Sequence, residues 1–339
     1  MTTGIIISNI GSPRTPNVSD VRRYLAEFLM DANVLDVPFL LRAFIVYVFI
    51  LPFRPRKSAE AYKSIWLDNG SPLVVYTEDL TRKLKTKLNN PIKTGMRYQD
   101  PSLLGEIDTM IKENPELDSI LLCPMFPHNA MSTNEGLIGY TQTYMNKKHP
   151  KVQFKTLAPF YKEPDYIDAL HQSLLPYLND YDHILFSYHG LPVRHLKKTD
   201  PSKATCYQID NCCKNGSPEV HAKCYKAQTL KTTELLAEKA KIPSDKYSIA
   251  YQSRLGKDEW IRPATDTTLE DLAKQGVKKL LVICPAFVTD CLETLEEIAI
   301  EGKETFLEHG GETFTYVPCL NSNDDWVEFL AKEIQKKVS

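Results

Sequence analysis

The sequence lacks the short motifs that mark most nucleotide and zinc enzymes. No G-x-G-x-x-G follows a strand, no G-x-x-x-x-G-K-S/T loop occurs and no H-E-x-x-H is present, so nucleotide-dependent chemistry and standard zinc hydrolysis lose their usual carriers. An excess of one charge is also missing. With 41 Lys and Arg against 43 Asp and Glu the net charge is −2, so no global field draws the chain to nucleic acid or to an anionic membrane, and any anion or metal site has to be local. The opening string MTTGIIISNIGSP has neither a basic region nor a long apolar one and does not read as a secretory signal, so a cytoplasmic location is expected. In that compartment the eight cysteines are core residues, metal ligands or catalytic groups before they are disulfides. The longest apolar stretch, residues 37–53 (VPFLLRAFIVYVFILPF), holds Arg42 and two prolines. It falls short of the roughly 20 residues that cross a bilayer.

What is present is an alternation. Strand-like runs begin at residues 4 (GIIISNI), 93 (KTGMRY), 119 (SILLCPM), 152 (VQFKTL), 183 (HILFSYH), 247 (YSIAY), 279 (KLLVICP) and 313 (TFTYVP), with helical patterns between them. This predicts an α/β fold with mainly parallel sheets covered on both faces. Two strings also recur. Ser8, Gly11 and Pro13 match Ser187, Gly190 and Pro192 at a separation of 179, while Cys123, Pro124 and Phe126 match Cys284, Pro285 and Phe287 at 161. Two similar βα lobes follow, residues 1–160 and 161–339, with the C-terminal helix able to pack back on the first lobe. Ligands of open α/β sheets sit beyond the carboxyl ends of the strands, so a cleft between the lobes is the expected active site.

Two features there carry chemistry. His189 ends the strand HILFSYH, and an imidazole with an ordinary pKa near 6.5 is a neutral base or metal ligand at pH 7. After KLLVICP the chain reads AFVTDCLETLEEIAIEG, with Asp290, Glu293, Glu297 and Glu301 spaced by 3, 4 and 4, which on an α-helix stacks four carboxylates on one face. A solvated acidic face is one reading of the row. A stepwise path for a divalent cation is the other.

Together these residues resemble the ferrochelatases, enzymes that insert Fe²⁺ into a porphyrin. The resemblance runs nearly the whole chain, through NIGSP at 9–13, VRRYLAEFL at 21–29, ILPFRPRKSAEAYKSIW at 50–66, GSPL at 70–73, MRYQDPS at 96–102, SYHGLP at 187–192, YQSRLGKDEWIRPATDTTLEDL at 251–272 and DCLETLEEIAIEG at 290–302. It implies two Rossmann-like lobes without a nucleotide. His189 is then the essential base and Glu293 the facing acid, with Asp290, Glu297 and Glu301 continuing the metal line. Ile10, Tyr62 and Trp260 fall on the porphyrin cleft, and Arg54 and Ser71 near the porphyrin's acidic side chains; as plain structure, the aromatics are core residues and Arg54 a surface cation. Residues 37–53 become a lip at the cleft mouth able to touch a membrane, with a core helix as the plainer reading. Protoporphyrin IX is the favoured ring, with coproporphyrin III left open.

One segment departs from the commonest family pattern. Between HGLP and TTELLAEKA, residues 197–226 form an inserted loop holding Cys206, Cys212, Cys213 and Cys224. The spacing C-x5-CC-x10-C is not a standard zinc pattern. Some bacterial ferrochelatases hold a 2Fe-2S cluster on four cysteines, in a subset of them within the chain, and the resemblance implies one here. Zinc and free or disulfide-linked cysteines are the alternatives. Cys123, Cys284, Cys291 and Cys319 read as packing residues. Competing functions are a cobalt chelatase acting on a sirohydrochlorin-type ring and a non-catalytic porphyrin carrier or cluster-based sensor.

Overall fold

The structure is a computed structural model that describes residues 2–254, 256 and 258–338. Leu255 and Lys257 of the YQSRLGKDEW string lie outside the described residues, as do Met1 and Ser339.

All eight expected strands form. β1 (Thr3–Gly11), β2 (Ile92–Tyr98), β3 (Ser119–Pro124) and β4 (Gln153–Thr156) make one parallel sheet in the order β2-β1-β3-β4. β5 (His183–His189), β6 (Tyr247–Gln252), β7 (Lys279–Ile283) and β8 (Thr313–Tyr316) make a second, in the order β6-β5-β7-β8. The sheets share one topology, as the recurring strings predict. Strands covered on both faces need continuous apolar runs, and Ile5, Ile6 and Ile7 are accordingly all fully buried. In the second sheet Leu185, Ala250, Leu280 and Val282 pack with Leu269, Leu272 and Phe306.

The repeated glycine has a physical cause. A Cβ on Gly11, whose φ is +102°, would strike the Tyr98 carbonyl oxygen at the end of β2, and one on Gly190 would stand 2.7 Å from the Gln252 carbonyl oxygen at the end of β6. Both chains turn off their strand against a neighbouring strand end with no room for a side chain.

The chain divides into two compact units. One comprises Met1–Met125, Met131–Ala158 and Asn321–Ser339, the other Phe126–Ala130 and Pro159–Leu320. The C-terminal helix Asp324–Val338 thus belongs to the first unit, where Lys83 Nζ bonds Asp324 Oδ1 at 2.6 Å and the Ser322 carbonyl at 2.7 Å.

Two expectations need correction. The acidic segment is not one continuous α-helix: a turn at Leu292–Leu295 passes into a π-helical stretch at Glu297–Gly302, where the Glu301 N–H reaches the Glu296 carbonyl at 2.9 Å, before α geometry resumes at Lys303–Glu308. Residues 37–53 do not form a core helix. Phe39–Phe44 is helical and Ile45–Ile50 a π turn, and Val46 and Leu51 are buried, but Leu40 is 81% exposed, Phe49 59% and Phe53 75%. Among the described residues no helix is long and apolar enough to cross a membrane.

Candidate active site

β5 carries His189 to the surface of its sheet and stops there. The Gly190 N–H donates to the Gln252 carbonyl at 2.6 Å, which fixes the turn directly after the histidine. His189 Nδ1 lies 2.6 Å from the Gly190 carbonyl oxygen. A carbonyl only accepts, so Nδ1 carries the hydrogen, and in the neutral ring the lone pair is on Nε2. The half-exposed ring lies 6.3 Å from that of Phe287.

The end of β6 faces it with two residues that sequence reasoning missed. Gln252 accepts from Ser187 Oγ at 2.7 Å and donates from Nε2 to the Glu293 carbonyl at 2.7 Å, so one buried amide joins β5 to the acidic segment. Ser253 has a left-handed backbone, φ +61°. Its N–H and Oγ both donate to the Glu297 carboxylate, at 2.7 and 2.5 Å. Burial raises the Glu297 pKa above the usual carboxylate range, against the opposing pull of the Ser253 donors. The corresponding residue after β2, Gln99, has the same φ of +61°. No residue type in the sequence marks the position, because the conformation belongs to the backbone.

The acidic residues do not act as one row. Glu297 and Glu301 line a cavity of about 650 Å³ together with Trp260, Arg254 and Asp266. Asp290 instead turns inward, accepting from Thr294 Oγ1 at 3.0 Å and from the Tyr316 hydroxyl at 2.6 Å. Glu293 lies between them, close enough to Glu297 for their charges to interact. Trp260 pairs with Pro192 across an isolated bridge, and a Cβ on Gly190 would meet its ring at 3.3 Å. His189, Glu293, Glu297, Glu301 and Trp260 are therefore gathered in the second unit. The remaining expected ring contacts lie in the first. Ile10 is half-buried near the end of β1, Arg54 is exposed at the start of the Arg54–Ile65 helix, Tyr62 is buried against Tyr24 and Trp66, and Ser71 precedes the Pro72–Leu84 helix.

The four loop cysteines are folded toward one another. Cys206 and Cys224 are buried with their sulfurs 3.7 Å apart, and Cys213 also hydrogen-bonds to Cys224. Cys212 and Cys213 are half-buried. Cys224 stands at the N-terminal cap position of the 15-residue helix Tyr225–Lys239. Donation from Cys206 and Cys213, aided by the Ala227 N–H, pushes the Cys224 pKa down. Asp200 shapes the loop, accepting from the Ser202, Thr205 and Cys206 N–H groups at 2.8 to 2.9 Å. Among the described residues no three His, Cys, Asp or Glu side chains form a ready-made metal group.

Comparison with known proteins places the chain. The family profile described as Ferrochelatase matches residues 2–338. The ferrochelatase of Pseudomonas fluorescens strain Pf0-1 is 46% identical over 329 residues, covering 96% of each chain. That of Opitutus terrae is 43% identical, covering 98% of this chain and 96% of its own. Among solved structures, SirB from Bacillus subtilis with Fe³⁺ superposes with a TM-score of 0.56 over 100% of this chain and 96% of its own, at 10% identity. SirB of Bacillus subtilis subspecies spizizenii, a sirohydrochlorin chelatase in complex with cobalt, gives 0.55 at 9% identity, with coverage of 100% and 96%. At that identity the likeness is one of fold. The whole-length match to the family profile and to these relatives identifies the chain as a member of the ferrochelatase family, enzymes of haem biosynthesis that insert metal into a porphyrin.

Proposed function

We propose that the metal is Fe²⁺, that the ring is protoporphyrin IX, and that His189 and Glu293 carry the reaction. The supporting observation is the His189 contact: with Nδ1–H committed to the Gly190 carbonyl, Nε2 of the neutral ring is a lone-pair base that takes one pyrrole N–H proton at a time, passing the first to solvent before it takes the second. Metal insertion also requires the ring to bend so that its nitrogens face the incoming ion, and apolar walls such as Trp260 hold that strained form. Ile10, Tyr62, Arg54 and Ser71 complete the ring contacts in this reading. Glu293, Glu297 and Glu301 replace the water shell of Fe²⁺ stepwise with hard oxygen ligands, and Asp290 supports them from its buried network. Identity of 46% to a ferrochelatase against 10% to SirB favours this reaction over cobalt insertion into a sirohydrochlorin-type ring. Anaerobic turnover of purified protein with Fe²⁺ and either protoporphyrin IX or coproporphyrin III tests it. Haem forms faster from protoporphyrin IX, whereas no insertion into either ring overturns the reading.

Two further parts belong to the proposal. Cys206, Cys212, Cys213 and Cys224 are assigned to a 2Fe-2S cluster. Two thiolates on one tetrahedral metal at about 2.3 Å stand about 3.8 Å apart. The Cys206 to Cys224 separation of 3.7 Å fits that geometry, and Cys224 is already biased to the thiolate. Such a cluster supplies a one-electron couple and ties the loop together. The exposed Phe39, Leu40, Phe44, Phe49 and Phe53 form an apolar lip for peripheral contact with the membrane from the cytoplasm, suited to a sparingly soluble ring.

A further inference from the structure

The helix Tyr225–Lys239 buries a face that is polar where an amphipathic helix would be apolar. Gln228, Thr229, Thr232 and Thr233 are all at most 1% exposed. Burying hydroxyls and amides without partners is costly, and each of these has one. Gln228 donates to the carbonyls of His221 and Ala222, at 3.2 and 2.9 Å, and so grips the cysteine loop just before Cys224. Thr232 pairs with His128 Nε2 at 2.9 Å.

The other two reach the site. Thr233 Oγ1 is 2.7 Å from the Tyr188 hydroxyl, and Tyr188 immediately precedes His189. Thr229 Oγ1 donates to the Lys226 carbonyl at 2.9 Å and therefore accepts, at 3.0 Å, from the hydroxyl of Tyr251, which immediately precedes Gln252 and Ser253. The two tyrosine rings lie 6.3 Å apart beneath adjacent strands. One helix, with Cys224 at its N-terminal cap position, thus holds by hydroxyl pairs the strand ends that present the base and the two residues gripping the acids. An apolar contact tolerates sliding, whereas a buried hydroxyl pair fixes a single register because a slip leaves both groups unpaired.

We propose that Thr229 and Thr233 are positioning residues for metal insertion, holding the His189 and Gln252–Ser253 strand ends in register with the helix that begins at Cys224, so that order in the cysteine loop sets the geometry of the site. This rests on reading that site as the place of metal insertion. The test measures kcat and both KM values of the full-length protein anaerobically with Fe²⁺ and protoporphyrin IX. Thr233→Val keeps the shape and deletes the hydroxyl; kcat falls about tenfold while both KM values stay within about twofold. Thr233→Ser, which retains the hydroxyl, restores kcat to within about twofold. Cys224→Ser lowers kcat in the same way, and the double variant with Thr233→Val falls no further than the worse single change. Wild-type kcat in Thr233→Val, equal loss in Thr233→Ser, or multiplicative loss in the double variant overturns the proposal. Hydrogen exchange provides a readout independent of turnover. Peptides covering residues 186–192 exchange faster in Thr233→Val, those covering 250–254 in Thr229→Val and both in Cys224→Ser, with wild-type exchange in Thr233→Ser; unchanged exchange overturns the coupling even if the wild-type protein inserts no metal.

Discussion

His189 and Ser253 show how differently two site residues declare themselves. An imidazole at a strand end is conspicuous in a sequence because its chemistry belongs to the side chain. Ser253 matters through a left-handed backbone that turns both its N–H and its hydroxyl onto one carboxylate, and no uncharged serine announces that conformation. Gln252 is hidden for the same reason, since its worth lies in the two strangers it joins. His128 makes the residue-scale prediction. Complete burial pushes its pKa down to about 3, so the folded protein refuses a proton that the unfolded chain accepts below about 6.5. Its contribution to stability is therefore whole above that pH and is lost as pH falls, by up to about 1.4 kcal/mol per unit. Urea unfolding at pH 6.5 and pH 5 should show the wild type losing about 1.6 kcal/mol more than His128→Gln, which keeps a donor for Thr232 and cannot titrate. Parallel losses in the two proteins would contradict it.

Elements record a different mixture of success and failure. Periodicity located the eight strands because runs such as Ile5 to Ile7, buried on both faces, have few other ways to fold. The acidic segment was misjudged as a continuous α-helix. Spacings of 3, 4 and 4 suit an α-helix and a π turn alike, and only the Glu301 to Glu296 bond distinguishes them. Asp290 stands before the Leu292–Leu295 turn begins and accepts from Thr294 and Tyr316, while Glu297 and Glu301 face the cavity. Two predictions belong at this scale. Replacing Phe44 and Phe49 with Ser removes apolar surface from the lip, and co-sedimentation with phospholipid vesicles should drop severalfold; binding equal to that of the wild type would remove the membrane role. For the cysteine loop, analysis of anaerobically purified protein should find iron and acid-labile sulfide near about two each per chain, and Cys206→Ser should bleach the visible bands. One zinc and no sulfide would replace the cluster with a different centre.

At the scale of the whole molecule, the chain repeats one sheet topology in two units, and the repetition was readable because glycine had to recur wherever a strand end turned against its neighbour's carbonyl. The passage of residues 126–130 into the second unit was harder to read, because a short connecting segment carries no periodicity of its own. The proposed chemistry belongs to the second unit, where Gln252 holds the Glu293 carbonyl, Ser253 holds the Glu297 carboxylate, and Glu301 lines the same cavity as Gln252 and Ser253. Removing the proposed base while keeping the walls separates binding from insertion most directly. His189→Ala should bind protoporphyrin IX within about threefold of the wild-type affinity, measured by fluorescence quenching, yet insert Fe²⁺ at least about a hundredfold more slowly under anaerobic conditions. Near wild-type insertion by His189→Ala would contradict the assignment of His189 as the base.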